Sequence, residues 1–279
     1  MQPALAQSAA LESIRGAARE NPRKRRRFLR CVYHWTRNIL DLRIFFKGIA
    51  GYAWFLVNWR RYSAMPGAEQ LRFIDSMPQL HDRTATTPFD AHYFFLNGWA
   101  MRRIVALAPR SHVDIGSAVQ FPNLLGAVIP TCFVDYRPLP ARCEGMDSVA
   151  GDIASLPFAD NSLTSLSCLH VAEHIGLGRY GDALDPDGTR KAVRELMRVL
   201  APGGSLFFGL PVGVERTCFN AHRIHAPETI RSYFEALELV EFSGVRDDGR
   251  FVERASPADF SEDVYACGMY WFRKPGAHG

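Results

Sequence analysis

Between residues 111 and 210 the sequence alternates short apolar stretches with segments of helical pattern, and three of the apolar stretches end at or beside an aspartate. These aspartates are Asp114, Asp135 and Asp152. Strands that alternate with helices predict a parallel sheet covered on both faces. Ligands of such sheets bind beyond the carboxyl ends of the strands, and carboxylates repeated there suit a ligand with several hydroxyl and amine groups. The sequence therefore predicts a nucleoside-type site along one edge of a parallel sheet.

Hydrophobic periodicity extends this prediction to most of the chain. We predict the following order of elements: helix 97–107, strand 112–115, helix 118–128, strand 131–135, strand 147–151, strand 163–168, helix 188–200, strand 204–210, helix 227–236, strand 237–245 and strand 264–273. Pro227 at the first helical position and Glu228 in the first turn are typical of a helix start. The segment Pro202–Gly204 predicts a turn, and residues 65–88, rich in Pro, Gly and Thr, predict a linker.

Positive charge is concentrated at the N-terminal end. Residues 1–61 hold 13 Lys and Arg against 3 Asp and Glu, whereas the rest of the chain holds 20 against 26. The basic run Arg23–Arg27 precedes a stretch rich in aromatic residues that ends at Tyr62. Three interpretations remain open: a solvated basic segment followed by a packed helix, a helix lying on an anionic membrane surface, or a nucleic-acid contact. Nucleic acid is the weakest of the three because no recognised binding module is present.

Six cysteines are present without a CxxC pair. Cys132, Cys168 and Cys267 fall in predicted strands, which indicates buried free thiols in a reducing compartment and predicts no metal site. The first ten residues lack the pattern of a secretory signal. The most apolar stretch, Ile44–Val57, contains Lys47 and is shorter than the roughly 20 residues that span a bilayer. We expect a cytoplasmic protein, with a peripheral position at the membrane as the alternative.

Several short stretches carry a resemblance to a known family: Val113–Gly116, Phe133–Asp135, Gly151–Phe158, Asp160–Leu163, His170–Ile175 and Glu195–Gly204. In this order and spacing they resemble the class I S-adenosylmethionine-dependent methyltransferases, closest to the type 11 group. A second set resembles a bacterial family of uncharacterised methyltransferase-like proteins over most of residues 80–274: Phe89–Phe94, the helix with Trp99, His174–Gly181, Leu184–Gly188 and Cys218–Ile224. We expect a basic, aromatic extension and linker over residues 1–85, and a methyltransferase-like domain over residues 86–279.

The resemblance implies a Rossmann-like α/β fold with helices on both faces of a mostly parallel, seven-stranded sheet. Its strand order would be 3-2-1-4-5-7-6, with the last strand antiparallel. The cofactor would be S-adenosyl-L-methionine, and the resemblance assigns its contacts. Asp114, Gly116 and Ser117 would form the turn near the methionine part, and Asp135 would bind the ribose hydroxyls. The remaining contacts would come from three residues: Asp152, Ile153 and His170.

The first loop departs from the family pattern D-x-G-x-G-x-G. Here it reads Asp114-Ile-Gly116-Ser-Ala118-Val-Gln120, so two glycines are replaced. Ala118 adds a Cβ where backbone usually faces the cofactor, and Gln120 adds a long polar side chain that could hydrogen-bond the ligand. Glycine allows a ligand to approach the backbone closely, so these replacements bear directly on cofactor binding.

Methyl transfer from a sulfonium depends mainly on orientation, and a general base helps when the acceptor is a hydroxyl or amine. The loops after the fourth and fifth strands should overhang the site. They contain His174 and His222, which we predict as catalytic bases because histidine titrates near neutrality. Packing roles for both histidines remain open. The loop after the fourth strand contains glycines that suit a mobile lid: Gly176, Gly178, Gly181 and Gly188. Arginines in the two loops indicate an anionic acceptor or solvated loop charges: Arg179, Arg216 and Arg223.

Two functional hypotheses follow. The first is a methyltransferase that uses S-adenosylmethionine and acts on a small polar or saccharide-linked acceptor. The alternative is a catalytically inactive protein of methyltransferase fold, attached to a membrane or a partner through its basic N-terminal extension. The replaced glycines and the concentrated positive charge of residues 1–61 motivate the alternative.

Overall fold

The strands expected at residues 112–210 form the centre of a twisted sheet in the computed structural model of the protein. The structure describes Leu29, Val32, Tyr33, Trp35 and residues 42–276. The basic run Arg23–Arg27 lies outside the described residues. The chain divides between Pro88 and Phe89 into two units, and each unit is described by itself below.

The first unit is built around helix α1, Leu42–Ser63. The segment that follows, predicted as a linker, contacts this helix: a Cβ on Gly51 would lie 2.8 Å from Leu80 Cβ, and the Arg83 guanidinium lies 5.6 Å from the centre of the Trp54 ring. Other apolar side chains of α1 face solvent. Across the described part of the chain, no helix combines the length and apolar character needed to cross a bilayer.

The second unit contains the sheet. Its helices and strands are, in chain order: α2 Ala91–Leu107, β1 His112–Ile115, α3 Gln120–Gly126, β2 Thr131–Asp135, β3 Met146–Ala150, β4 Leu163–Leu169, α4 Gly188–Val199, β5 Leu200–Val212, β6 Arg216–Cys218, β7 His222–Ile224, α5 Pro227–Tyr233, β8 Glu238–Val245, β9 Phe251–Val252 and β10 Ala266–Arg273. Strands β1 to β4 match their predicted bounds to within one residue, because clear turn signals flank each of them.

The main sheet has the order β3-β2-β1-β4-β5-β10-β8-β9. Strands β1 to β5 are mutually parallel, and β10 runs antiparallel to both β5 and β8. The expected order 3-2-1-4-5-7-6 with an antiparallel last strand is therefore confirmed. The sheet has eight strands instead of seven, because the short strand β9 extends the edge beyond β8.

Other predicted boundaries were wrong for local reasons. Helix α2 begins at Ala91 and not at residue 97, since the Asp90 side chain caps it by accepting a hydrogen bond from the Tyr93 N–H. The helices expected at 118–128 and 227–236 are shorter, Gln120–Gly126 and Pro227–Tyr233. Pro202–Gly204 is not a separate turn: it lies inside β5, where the pairing with β4 shifts register. The hairpin of β6 and β7 was not predicted, because its strands are polar and three residues long.

Helix α2 is anchored to the sheet by polar contacts as well as by apolar packing. Trp99 is fully buried, and its Nε1 donates to Glu241 Oε1 at 2.8 Å. Arg103 forms an ion pair with the same carboxylate at 2.7 Å, and both side chains are nine-tenths buried or nearly so. Ser243 Oγ donates to Glu241 as well. This cluster holds the helix that begins at the edge of the candidate site.

Candidate functional site

The carboxyl ends of β1, β2 and β3 lie side by side. Asp135 at the end of β2 pairs with Ala150 at the end of β3, and the Gly151 N–H donates to the Asp135 carbonyl at 3.0 Å. On the other side the Gly116 N–H donates to the Val134 carbonyl at 2.8 Å. Gly116, Asp135 and Asp152 therefore follow three neighbouring strands at one edge of the sheet.

Asp114 faces inward. Its carboxylate is fully buried and accepts hydrogen bonds from Ser117 Oγ at 2.7 Å, from the Ser117 N–H at 3.1 Å and from Ser167 Oγ. Burial raises the pKa of Asp114 to about 6. His112 continues this network through Ser167, and burial lowers the pKa of His112 to about 3. Asp114 and Ser117 thus fix the conformation of the loop after β1 through buried hydrogen bonds.

Gly116 lies in the loop after β1, close to Asp135. Its φ of +66° lies in the left-handed region, where a Cβ is strained. A Cβ built on Gly116 would lie 3.2 Å from Val171 Cγ1 and 3.6 Å from Asp135 Oδ2. Gly116 therefore brings bare backbone close to the Asp135 carboxylate, and a side chain there would crowd Val171.

Asp135 is about one-fifth exposed, with 21% of its side-chain surface accessible. Its Oδ1 accepts a hydrogen bond from the Arg137 N–H at 2.7 Å, and its Oδ2 lies on the side of Gly116. The Arg137 guanidinium lies 4.5 Å from the centre of the Tyr180 ring. This contact brings the loop after β4 over the loop after β2, so the two loops cover the Asp135 side of the edge.

Asp152 and Ile153 begin the loop after β3. Asp152 is exposed, its Oδ1 accepts from the Ala154 N–H at 2.8 Å, and Ile153 is buried. Further along this loop, two side chains of α4 form hydrogen bonds with the loop backbone. Both belong to the stretch Glu195–Gly204, which carries part of the resemblance. Glu195 accepts from the Leu156 N–H at 2.9 Å, and Arg198 donates to the carbonyls of Leu156 and Phe158 at 3.0 and 2.9 Å. The Glu195–Arg198 pair therefore fixes the loop that carries Asp152.

The replaced glycine positions do not lie in the fold's interior. Ala118 is half-buried, and Gln120 is exposed on the first turn of α3. The Ala118 carbonyl accepts from the Phe121 N–H at 2.8 Å, which continues the loop into the helix.

His170 directly follows the last residue of β4. Its backbone N–H donates to the Gly209 carbonyl at 2.7 Å, so this donor is used within the sheet. Its Nδ1 lies 3.0 Å from Glu173 Oε1, and its Nε2 lies 3.5 Å from Cys267 Sγ. Burial acts against the charged ring, but Cys267 and Glu173 more than offset it and raise the pKa of His170 to about 10.

The predicted bases His174 and His222 lie close together, with ring centroids 6.4 Å apart. The His174 Nδ1 lies 2.6 Å from the Ala221 carbonyl. Because a carbonyl oxygen only accepts, this contact favours a proton on Nδ1, and Nε2 then lies 3.6 Å from Glu173 Oε1. Burial lowers the pKa of both histidines, so both rings are neutral at pH 7. The His174 ring is largely buried, whereas His222 is half-exposed.

Aromatic residues distant in sequence surround these histidines. The ring of His92 lies between His170, at 5.6 Å, and Tyr265, at 5.0 Å. Tyr265 also lies 5.1 Å from His222, and Tyr93 lies 5.0 Å from His170. Burial lowers the pKa of His92 to about 4 and raises that of Tyr265 to about 12. We call the group His92, Tyr93, His170, Glu173, His174, His222, Tyr265 and Cys267 the histidine cluster.

The histidine cluster adjoins the Gly116 loop. Val171, which follows His170, is the residue nearest to the missing side chain of Gly116, and the Leu169 N–H donates to Ser117 Oγ at 3.2 Å. Sequence analysis identified His170, His174 and His222 but not His92, Tyr265 or Cys267 as members of a site. Asp90, which caps α2, was the available local signal for the position of His92.

The loop after β4 is closed on itself. The Gly176 N–H donates to Asp182 Oδ2, its carbonyl accepts from the Asp185 N–H, and a Cβ on Gly176 would lie 2.1 Å from the Asp185 carbonyl oxygen. Arg223 donates to the carbonyls of Ile175 and Asp185. Of the four glycines predicted to suit a lid, Gly176 and Gly188 lie against neighbouring backbone, whereas a Cβ on Gly181 would meet no atom within 4 Å.

The three arginines considered for an anionic acceptor are separated. Arg179 lies over the histidine cluster, where it donates to the Ala221 carbonyl at 3.1 Å. Arg216 and Arg223 instead line a cavity of about 340 Å³, together with Arg190 and Tyr233. The predicted arginines do not converge on one anion.

Residues 159–253 match a family described as a Caenorhabditis protein of unknown function, DUF268. No curated protein matches the chain. Many solved structures match, among them the N-methyltransferase NodS from Bradyrhizobium japonicum WM9 in complex with S-adenosyl-L-homocysteine, at 20% identity over 71% of this chain and 92% of that one, with a TM-score of 0.47.

Two further matches are the YcgJ protein from Bacillus subtilis and the [4+2]-cyclase SpnF. The first has 14% identity over 66% of this chain and 100% of that one, with a TM-score of 0.46. The second has 16% identity over 65% of this chain and 81% of that one, with a TM-score of 0.47. The strand order and strand directions of the second unit are those of the class I S-adenosylmethionine-dependent methyltransferase fold. This fold does not by itself decide the activity, because one fold hosts many functions.

Proposed function

We propose that the protein is an S-adenosylmethionine-dependent methyltransferase. The observation that carries the proposal is the placement of Gly116, Asp135 and Asp152 at three neighbouring strand ends, with the bare backbone of Gly116 close to Asp135 Oδ2. Ligands of open parallel sheets bind at this edge.

The residues of this edge fit the cofactor. The partly exposed carboxylate of Asp135 can accept hydrogen bonds from ribose hydroxyls, and such charge-assisted bonds are stronger than neutral ones. Ile153 and Asp152 would offer an apolar and a polar neighbour to the adenine. When bound, S-adenosylmethionine supplies an electrophilic methyl group. The residues of this chain would hold it, orient the acceptor and remove the acceptor's proton.

In this proposal the histidine cluster binds the methyl acceptor and removes its proton. His174 is neutral, and its Nδ1 proton is fixed by the Ala221 carbonyl, so its Nε2 can take a proton from a hydroxyl or amine. A well-placed general base contributes about 10²–10⁴-fold to rate. The tyrosine and histidine groups around it favour a small acceptor rich in hydroxyls or amines, and a saccharide-linked acceptor has this chemistry. His222 is the second candidate base.

Calorimetry with S-adenosylhomocysteine tests the cofactor part of this proposal. We expect the protein to bind this product analogue with one site per chain, and Asp135→Ala to lower the affinity by at least about tenfold, or about 1.4 kcal/mol. Asp147→Ala is the matched control, because Asp147 is an exposed aspartate on β3. If neither the parent nor the control takes up the ligand at millimolar concentration, the inactive alternative replaces the enzyme.

We also propose that α1 lies on an anionic membrane surface. The helix exposes apolar side chains, among them Ile49 and Leu56, which are seven residues apart on one face and 55% and 56% exposed. Burial of such a face in the interface, next to basic residues, is the pattern of peripheral helices. Sedimentation with phosphatidylserine vesicles tests this: Ile49→Gln with Leu56→Gln should reduce pelleting. Leu124→Gln, at an exposed site in the second unit, is the control, and equal pelleting of all forms would exclude α1 as the anchor.

A further inference from the structure

Three potential metal ligands from distant parts of the chain meet inside the histidine cluster. His92 comes from the first turn of α2, His170 from the end of β4 and Cys267 from the start of β10. Each residue offers one ligand atom: a ring nitrogen from His92, a ring nitrogen from His170 and the Sγ of Cys267. These three atoms all lie within 4.8 Å of one another. The sequence spacing of 92, 170 and 267 gives no sign of this grouping.

The distances are close to those of a metal centre. Zinc binds histidine nitrogen at about 2.0–2.1 Å and thiolate sulfur at about 2.3 Å, so ligand atoms in a tetrahedral site lie about 3.3–3.6 Å apart. His170 Nε2 and Cys267 Sγ are already 3.5 Å apart. Closing the site requires the His92 ring to turn and its nitrogen to approach by about 1 Å.

The groups behind the ligands match those that orient metal-bound histidines. Glu173 Oε1 lies 3.0 Å from His170 Nδ1, so the carboxylate can hold the Nδ1 proton and direct the Nε2 lone pair toward Cys267. The ring of His92 packs against the ring of Tyr265, with their centres 5.0 Å apart. Carboxylates and backbone carbonyls are the usual outer partners of histidines that bind metals.

Charge and backbone geometry add two independent observations. Glu173 Oε2 is buried and has no hydrogen-bond partner in the described part of the chain. A divalent cation next to a Cys267 thiolate and the Glu173 carboxylate would bring the buried charge to zero. His170 also holds a φ of +58°, an uncommon conformation for a residue with a side chain, and such conformations cluster at functional sites.

We propose that His92, His170 and Cys267 bind one divalent transition metal ion, with Zn²⁺ as the ion that this set of ligands favours. Three protein ligands leave a fourth tetrahedral position open, as in catalytic and not structural zinc sites. This position would be available to water or to a hydroxyl or thiol of a ligand that enters the histidine cluster. The proposal stands on its own, whether or not S-adenosylmethionine binds at the neighbouring edge.

Metal analysis of tag-free protein tests the proposal. After incubation with excess Zn²⁺ and desalting, we expect about one zinc per chain in the parent, and little in Cys267→Ser or His92→Ala. Cys168→Ser is the matched control, because Cys168 is also fully buried in a strand of the same sheet but lies outside the group. Circular dichroism checks that each variant is folded.

Cobalt substitution gives a second readout that a general loss of stability would not reproduce. Co²⁺ added to the metal-free parent should give a thiolate-to-metal charge-transfer band that is absent in Cys267→Ser and present in Cys168→Ser. Glu173→Gln should keep the band but weaken the affinity by about 10–100-fold. A parent that retains no zinc and gives no thiolate band overturns the proposal, as does equal zinc retention by Cys267→Ser and His92→Ala.

Discussion

The substitution Gly116→Ala should separate backbone strain from loss of the cofactor site. Gly116 has φ of +66°, and a left-handed conformation costs a residue with a Cβ roughly 1–2 kcal/mol. The new methyl group would lie 3.2 Å from Val171 Cγ1, a close contact that adds to this cost. It would also occupy the space 3.6 Å from Asp135 Oδ2, where the ribose would bind. We expect S-adenosylhomocysteine affinity to fall by at least about tenfold, or 1.4 kcal/mol.

Gly203→Ala is the matched control for this experiment. Gly203 has φ of +74° in the first part of β5, and a Cβ there would meet no atom within 4 Å. Urea unfolding should show a loss of about 1–2 kcal/mol for Gly203→Ala and at least as much for Gly116→Ala. Calorimetry with S-adenosylhomocysteine should show reduced affinity for Gly116→Ala alone. Equal affinities of the two folded variants would refute the argument that the bare backbone at Gly116 admits the cofactor.

Three further predictions concern the framework of the site. Arg103→Met should lower the free energy of unfolding in urea by about 3–5 kcal/mol, because it leaves the buried Glu241 carboxylate without its ion pair. Adding Glu241→Gln should recover part of that loss. Losses of the two single variants that simply add in the double variant would contradict this. The pKa of His112 is about 3 in the folded protein against 6.5 for a free histidine, so the unfolded chain takes up the proton first as pH falls. The stability of the parent relative to His112→Gln should therefore drop by about 3 kcal/mol between pH 7 and pH 4, and a constant difference would show that burial does not depress this pKa. Arg198→Ala should cost about 1–3 kcal/mol by removing the hydrogen bond to the Phe158 carbonyl, and it should weaken S-adenosylhomocysteine binding several-fold through the Asp152 loop. An unchanged affinity in calorimetry would mean that this loop does not contact the cofactor.

Local patterns predicted the parallel strands well and the site only in part. The stretch that ends at Asp135 is apolar, short and bounded by turns, so its limits followed from the sequence. The order of the strands came from the resemblance. Burial of the Asp114 carboxylate could not be predicted, because it depends on Ser167 in a neighbouring strand.

The histidine cluster shows a second limit of sequence reasoning. His92 and Cys267 lie far apart in the chain, and the packing of α2 against β10, which the predicted strand order does not give, brings them together. His174 and His222 were chosen because their loops follow neighbouring strands, and the structure brings their rings within 6.4 Å. The hairpin that carries His222 was missed because its short polar strands have no hydrophobic alternation.

A crystal structure of the protein grown with S-adenosylhomocysteine is the most direct test of the cofactor site. We expect the ribose hydroxyls to lie within hydrogen-bonding distance of the Asp135 carboxylate, and the adenine to lie beside Asp152 and Ile153. Electron density for the ligand at any other place, or an unliganded strand edge at saturating ligand concentration, would contradict it.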